Sequence, residues 1–243
     1  MSKEKFFDRL DPWDQKIILK YNGIGGKKFT VLLKILSFLG RETIWMLLMV
    51  FYLFIFYDPQ WFSYISSIFL LGVIIIGTIK KYMNRDRPFE SLEEIKILER
   101  RPTSRSFPSW HAYNVISQGL LLAYLLNSLV LTIIVLIFTA IVSFSRIQLG
   151  VHYPSDVIFG VLFGLCGFFL ALTVVAPIVM VTIHYFEVVT GIPVYFQKIN
   201  PLLYKNVLYI ILVVGLIITI IIFAIYKKIQ EVIERKRKNN KAL

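Results

Sequence analysis

Long runs without a charged residue or histidine divide the chain into five apolar blocks. The blocks are residues 43–57, 61–79, 112–145, 157–183 and 207–226. A helix that crosses a bilayer needs about 20 apolar residues. The third block has 34 residues, so as one helix it would measure about 51 Å against a hydrocarbon core of about 30 Å. Because Asn127 and Ser128 offer a turn at its middle, the pattern predicts six membrane-spanning helices.

The N-terminal segment, residues 1–42, precedes the first predicted span. Its residues 1–28 mix acidic and basic side chains and contain no apolar stretch typical of a cleavable signal peptide. Asp11, which a proline follows, is expected to cap a helix that begins there. Trp13, Ile17 and Tyr21 would then share one face of that helix. We therefore expect an interfacial helix in this segment, ahead of the first span.

Composition supports a membrane protein, since 57% of the residues are hydrophobic and the mean hydropathy is +0.69. The predicted fold class is an all-α, polytopic membrane helical bundle that forms a single domain over residues 1–243. The chain has 27 basic and 15 acidic residues, a net charge of +12. Basic segments beside membrane spans account for that excess. Since no nucleic-acid-binding motif accompanies it, we expect a lipid bilayer as partner and no nucleic acid.

The first polar segment at the end of a predicted span carries Lys80 and Arg87. If the second spanning helix continues through both residues, their seven-residue spacing puts two cations on one face. The alternative is a solvated basic helix end.

The second polar segment, residues 105–111, opens the third span. A proline at a helix start leaves the amides of the first turn free, which favours an anion site. His111 would exchange protons there. The alternative is that Ser109 is only a helix cap and His111 an interfacial residue.

The third polar segment, residues 145–156, lies between the fourth and fifth spans and carries Arg146, His152 and Asp156. A four-residue spacing lets Asp156 reach the His152 ring. A carboxylate bonded to one ring nitrogen leaves the other as a nucleophile or base. The alternative is a capping aspartate beside an unrelated histidine.

Together the three segments hold the parts of a phosphoryl-transfer site. They contain neither an acidic cluster for magnesium nor the glycines of a nucleotide-binding loop. The predicted mechanism therefore uses no metal and no cofactor.

Three motifs resemble the tripartite signature of the type 2 phosphatidic acid phosphatase (PAP2) superfamily of membrane enzymes. They are Lys-x6-Arg-Pro at 80–88, Pro-Ser-x-His at 108–111 and Ser-Arg-x5-His-x3-Asp at 145–156. The motifs occur in the family's order and define a catalytic region over residues 80–156.

The resemblance implies a role for each motif residue. His152 would attack phosphorus and form a phosphohistidine, Asp156 would hold its ring, and His111 would protonate the leaving oxygen and then activate water. The residues implied to bind the phosphoryl oxygens are Lys80, Arg87, Ser109 and Arg146. Trp110 occupies the position where the family usually has glycine. We expect its backbone amide to donate to the phosphate, or its indole to line the pocket or to lie at the lipid interface. The amide would be strained only if that position requires a positive φ.

The segment that follows the first motif, residues 91–101, is a candidate lid. Ser91 and Glu94 match a capping box, and an apolar stripe of Leu92, Ile95 and Leu98 predicts an amphipathic helix. The alternative is a short solvated helix without a gating role.

Six spans put both termini and both catalytic loops on one side of the membrane. That side carries 25 basic residues, including the tail at 227–243, against Lys198 and Lys205 on the other. The positive-inside rule then places the active site on the cytoplasmic face of the cell membrane, whereas the best-known relatives work on the opposite face. A cytoplasmic site favours phosphatidylglycerophosphate or phosphatidate as substrate, and the opposite face favours an isoprenyl diphosphate or a lipid A-type phosphate. A lipid phosphotransferase and an inactive lipid-phosphate binder or transporter are the remaining alternatives.

Overall fold

The computed structural model describes residues 3–191 and 199–239, and within these ranges the chain is helical and contains no strand. The helices are α1 (Lys3–Tyr21), α2 (Gly26–Leu36), α3 (Glu42–Val50), α4 (Pro59–Met83), α5 (Pro88–Ser91), α6 (Trp110–Leu125), α7 (Leu129–Gln148), α8 (Pro154–Leu170), α9 (Ala176–Thr190), α10 (Leu202–Lys205) and α11 (Val207–Asn239). A 3₁₀ turn, Ser37–Gly40, follows α2.

Each of the six predicted spans corresponds to a helical segment. Among the described residues, four segments are long and apolar enough to cross a membrane: Pro59–Ser91, Leu129–Gln148, Pro154–Thr190 and Val207–Tyr226. Glu42–Ile55 is a shorter apolar helix. The remaining segment, α6, has 16 residues and buries polar side chains such as Asn114 and Gln118. The predicted turn separates α6 from α7, with Asn127 at φ 46°. The all-α membrane bundle is therefore confirmed, and the protein is a multi-pass membrane protein.

The chain divides into two compact units. The first comprises Met1–Arg41 and Tyr64–Val179, and the second comprises Glu42–Ser63 and Met180–Leu243. In the second unit the Tyr209 hydroxyl donates to the Phe54 carbonyl at 2.9 Å, which ties α11 to the chain that follows α3. The first unit contains all of the predicted site residues.

Helix α6 lies at the centre of the first unit, against α7 and α8. A Cβ atom at Gly160 would lie 2.5 Å from the Ser109 carbonyl oxygen, and one at Gly164 would lie 2.3 Å from the Ile116 side chain. These glycines let α8 approach α6 closely. The Ser109 amide then donates to the Asp156 carbonyl oxygen at 2.8 Å, so the starts of the two helices are joined.

The predicted start of the N-terminal helix at Asp11 is wrong, because α1 begins at Lys3 and includes Pro12 in its interior. Phe7, Asp14 and Ile18 are buried along its length. Contacts on both sides of the proline therefore hold the helix together despite the missing amide.

The predicted helix over residues 91–101 is also wrong. Ser91 ends α5, and the capping contact lies earlier, where the Arg87 amide donates to the Glu90 carboxylate at 3.0 Å. Beyond it, Ile95 is buried with Ile18 and Tyr153. Ile95, a member of the predicted apolar stripe, is therefore packed inside the protein.

Two expectations fall partly on residues outside the described ranges. Helix α11 continues into the predicted basic tail at 227–243, of which residues 240–243 are not described. Lys198, one of the two basic residues expected on the far side of the membrane, also lies outside the described residues.

Candidate active site

The two cations of the first motif converge, although the helix that was expected to align them stops between them. Helix α4 ends at Met83, and Asn84 has a φ of 51°. Lys80 Nζ donates to the Arg105 carbonyl at 2.6 Å, and Arg87 Nη2 donates to the same oxygen at 3.3 Å. The expected continuous helix is therefore wrong, and a shared backbone acceptor brings the cations together.

Arg87 lies beside the predicted nucleophile. Its side chain is buried, and Nη1 donates to the Val151 carbonyl at 2.6 Å and lies 3.3 Å from His152 Nε2. Nε donates to the Ser104 carbonyl at 2.7 Å. The guanidinium is thus fixed by backbone oxygens next to the ring nitrogen that would attack phosphorus.

His152 and Asp156 face each other as their spacing predicts. His152 Nδ1 lies 3.5 Å from Asp156 Oδ2, and both side chains are buried. This is longer than a hydrogen bond, as is common before substrate binds. Burial lowers the pKa of His152 well below its usual 6.5, and the positive charges of Arg87, Lys80 and Arg146 lower it further. The ring is therefore neutral at pH 7 and keeps a lone pair for attack.

The Asp156 carboxylate is held from several directions at the start of α8. Oδ2 accepts from the Tyr153 amide at 2.9 Å, which caps the helix, and also from the Ser106 hydroxyl. Oδ1 accepts from Arg85 Nη1 at 2.8 Å. These bonds leave the carboxylate little freedom to turn away from His152.

The second motif lies at the start of α6. Ser109 is the N-cap, and its hydroxyl accepts from the Ala112 amide at 3.5 Å. His111 is half-buried. Its Nε2 atom is buried and has no partner among the described residues, and the ring interacts electrostatically with Arg146 and His152. This nitrogen is therefore free to exchange a proton with a bound molecule.

Trp110 packs among aromatic rings. Its ring centroid lies 6.4 Å from that of Phe69 and 6.2 Å from that of Tyr113. Trp110 is the first residue of α6 and is not among the described residues with positive φ. A tryptophan in place of the family glycine therefore brings no left-handed backbone strain here.

Arg146 is buried and already bonded to an acid. Nη1 donates to Glu99 at 2.6 Å and to the Ser37 hydroxyl at 2.8 Å. Nε is also buried and has no partner among the described residues. Neither partner was predicted from the sequence, because four glutamates lie between the first two motifs and their pattern does not single out Glu99.

Arg85 is a further residue of the site that was not predicted from the sequence. Its guanidinium bonds Asp11, Asp14 and Asp156, and so links α1 to the predicted catalytic carboxylate. A metal-binding group of three or more His, Cys, Asp or Glu side chains is not found in the described part of the chain.

Comparison with known proteins agrees with this fold. The sequence model of the PAP2 superfamily matches residues 60–180. An undecaprenyl-diphosphatase from Sulfolobus acidocaldarius is 34% identical over 148 residues, which cover 60% of this chain and 70% of that protein.

Two solved structures have a similar fold. Aquifex aeolicus LpxE has a TM-score of 0.58 at 22% identity, covering 65% of this chain and 93% of that chain. A PAP2-type phosphatidylglycerolphosphate phosphatase from Bacillus subtilis has a TM-score of 0.56 at 24% identity, covering 67% and 84%.

The fold and these similarities define a multi-pass membrane phosphatase that acts on lipid phosphates. The chain belongs to the PAP2 superfamily.

Proposed function

We propose that the protein hydrolyses a lipid phosphate through a phosphohistidine on His152. The observation that carries the proposal is the position of the ring, with Nε2 3.3 Å from Arg87 Nη1 and Nδ1 3.5 Å from Asp156 Oδ2. A bond forms from Nε2 to phosphorus as the bond to the leaving oxygen breaks, and Asp156 stabilises the imidazolium. His111 protonates the leaving oxygen. It then accepts a proton from the water that attacks phosphorus, as the bond from phosphorus to His152 Nε2 breaks.

The phosphoryl oxygens would be held by the cations around His152. Lys80 and Arg87 are fixed by backbone carbonyls. The buried Nε of Arg146 has no partner in the part of the chain that the structure describes. Fixed positive charge of this kind is worth several kcal/mol where charge spreads over the nonbridging oxygens. Ser109 and the first-turn amides of α6, Trp110 included, add donors at a helix start.

Replacing the nucleophile tests this mechanism. His152→Ala should abolish phosphate release from a lipid phosphate by purified protein in detergent with EDTA, and vanadate should inhibit the wild type as an analogue of the transition state. His184→Ala is the matched control, because that histidine is exposed and lies in the second unit. Full activity in the His152 variant, or an absolute need for a divalent metal, would contradict the proposal.

An isoprenyl diphosphate is the alternative substrate, which a site on the opposite face of the membrane would favour. The support is the undecaprenyl-diphosphatase that is 34% identical to this chain. A site beside the bilayer also suits a lipid that arrives laterally, since a soluble phosphate gains nothing from that position.

We propose a phospholipid monoester, phosphatidylglycerophosphate or phosphatidate, as the substrate. It is favoured by the basic residues, which lie mostly on the side predicted for the catalytic loops and favour a site on the cytoplasmic face. Comparing phosphate release from these three lipids and from a lipid A-type phosphate distinguishes the candidates. A clear preference for a water-soluble sugar phosphate would refute both.

We propose that both termini and the active site face the cytoplasm, because anionic lipids on that face attract the basic tail by about 1 kcal/mol per residue near the surface. In a Cys166→Ser background with Asn240→Cys, an impermeant maleimide should label inverted vesicles and not intact cells. Cys166 is the one cysteine of the sequence. Labelling of intact cells would show that the tail faces outward.

A further inference from the structure

Arg85 lies outside the predicted catalytic set, yet it makes several bonds beside it. Nη1 donates to Ser155 Oγ and Asp156 Oδ1, both at 2.8 Å. Nη2 donates to Asp11 Oδ1 at 2.6 Å and Asp14 Oδ2 at 2.7 Å. The guanidinium is nearly buried and stacks 4.1 Å from the centre of the Tyr153 ring, so its position is fixed.

Asp14 is the buried member of this network on α1. Its side chain has no exposed surface. Oδ1 accepts from the Ser155 amide at 2.8 Å, and Oδ2 accepts from the Ser155 hydroxyl as well as from Arg85. A carboxylate is favoured here because it faces the first turn of α8, where backbone amides point outward.

The same guanidinium that compensates Asp14 also bonds Asp156. One positive charge is thus shared between two buried carboxylates, while Asp11 is partly exposed and better screened by water. Because the guanidinium is shared, its positive charge only partly compensates Asp156, and that carboxylate keeps net negative charge. That charge is needed when His152 attacks phosphorus, because the ring then becomes an imidazolium.

From these contacts we infer that Asp14 and Arg85 are positioning residues for the phosphatase reaction. Arg85 fixes the Asp156 carboxylate against His152, and Asp14 shares the guanidinium, so that its positive charge only partly compensates Asp156. The N-terminal helix α1 is thereby a working part of the active site. The inference rests on the proposed roles of His152 and Asp156.

Asp14→Asn tests the shared charge while preserving shape. The amide oxygen can still accept from the Ser155 amide, but its nitrogen cannot accept from Arg85. We expect kcat to fall about tenfold. KM and the inhibition constant of inorganic phosphate should stay within about twofold, because Lys80, Arg87 and Arg146 keep their contacts.

Asp8→Asn is the matched control, because it removes the same charge from the same helix at an exposed position. It should leave kcat unchanged. Arg85→Gln should lower kcat more than Asp14→Asn does, and Arg85→Lys should restore part of the loss, since an ammonium keeps the charge without the fork that reaches both carboxylates.

A double variant separates a shared mechanism from two independent defects. If Asp14 acts through Arg85, Asp14→Asn combined with Arg85→Gln should be no slower than Arg85→Gln alone. Multiplicative losses would overturn the inference. The inference would also be overturned if the kcat of Asp14→Asn equalled that of Asp8→Asn. A joint fall of kcat, phosphate affinity and Tm in Asp14→Asn would overturn it too, because that pattern indicates that Asp14 only docks the helix.

Failure of this inference can be told from failure of the proposed function. If His152→Ala retains full activity, the phosphohistidine mechanism is wrong, and the proposed roles of Asp14 and Arg85 are wrong with it. If His152→Ala is inactive while Asp14→Asn behaves like Asp8→Asn, the mechanism stands and only the role of α1 is refuted.

Discussion

A methyl group added at Gly40 tests whether His111 protonates the leaving group. Gly40 ends the 3₁₀ turn and is buried against His111, and its carbonyl accepts from Asn114 Nδ2 at 3.1 Å. A Cβ atom at this position would lie 2.9 Å from His111 Cδ2, 3.0 Å from its Cβ and 3.2 Å from its Cα. Because two of these three atoms are close to or in the backbone, rotation of the ring alone cannot relieve the contact.

Relief requires the imidazole and the turn to separate by about half an ångström to reach ordinary van der Waals distance. A misplacement of about 1 Å costs roughly a hundredfold in rate when it disturbs reacting groups. We therefore expect Gly40→Ala to lower kcat for a lipid phosphate by about tenfold to a hundredfold. The loss should be much smaller for p-nitrophenyl phosphate, whose acidic phenol leaves without a proton from the enzyme.

The assay compares phosphate release from the two substrates by purified Gly40→Ala and wild-type protein. Gly77→Ala is the matched control, because a Cβ there would meet nothing within 4 Å. Equal losses on both substrates would indicate a general distortion of the site, and unchanged turnover of the lipid phosphate would mean that His111 has room to move. Either result refutes the reasoning.

Other predictions concern charge and packing. Glu99→Gln should lower both KM and the phosphate inhibition constant, since the carboxylate that bonds Arg146 at 2.6 Å competes with a phosphate oxygen; exposed Glu93→Gln is its control. The pKa of His152 is lowered by burial and by neighbouring cations, so the neutral nucleophile should persist into mildly acidic solution. The acid limb of kcat/KM, corrected for ionisation of the substrate near pH 6, should therefore lie below pH 6.5, and a limb at or above pH 7 would contradict this. Trp110→Ala should lower the Tm without changing the phosphate inhibition constant, because the indole packs against aromatic rings. Weaker inhibition by phosphate would instead indicate that the Trp110 side chain contacts the bound phosphate.

The helical segments were predictable because their signal is local. Each apolar block predicts a helix without information from the rest of the chain. The turn at Asn127 follows because one block is too long for a single span. The start of α1 was not predictable in this way. Pro12 is a strong local signal for a helix start, but the buried side chains of Phe7 and Ile18 override it.

The catalytic motifs were partly predictable from spacing. Asp156 reaches His152 as a four-residue separation suggests. For Lys80 and Arg87 the expected convergence is present, but its cause differs, since the helix stops at Met83 and the backbone of Arg105 provides the common acceptor. The spacing of residues within a motif does not show which other loop of the chain contributes an acceptor, here the loop that contains Arg105.

The partners of the motif residues were not predictable from spacing. Asp14 is separated by 141 positions from Ser155, and Glu99 by 47 positions from Arg146. No local periodicity connects residues this far apart. Only the packing of α1 and of the segment after α5 against the motif helices determines which carboxylates reach the buried cations.

The acceptors of the three motif cations differ in charge, and this difference determines what the substrate must displace. Lys80 and Arg87 bond to backbone carbonyls, which carry no net charge, so their positive charge remains available to a phosphate. Arg146 instead bonds the carboxylate of Glu99. A phosphate can join Lys80 and Arg87 without breaking an ion pair, but it engages Arg146 fully only when it replaces or shares that carboxylate. Binding of the phosphate at Arg146 should therefore weaken the Arg146–Glu99 ion pair.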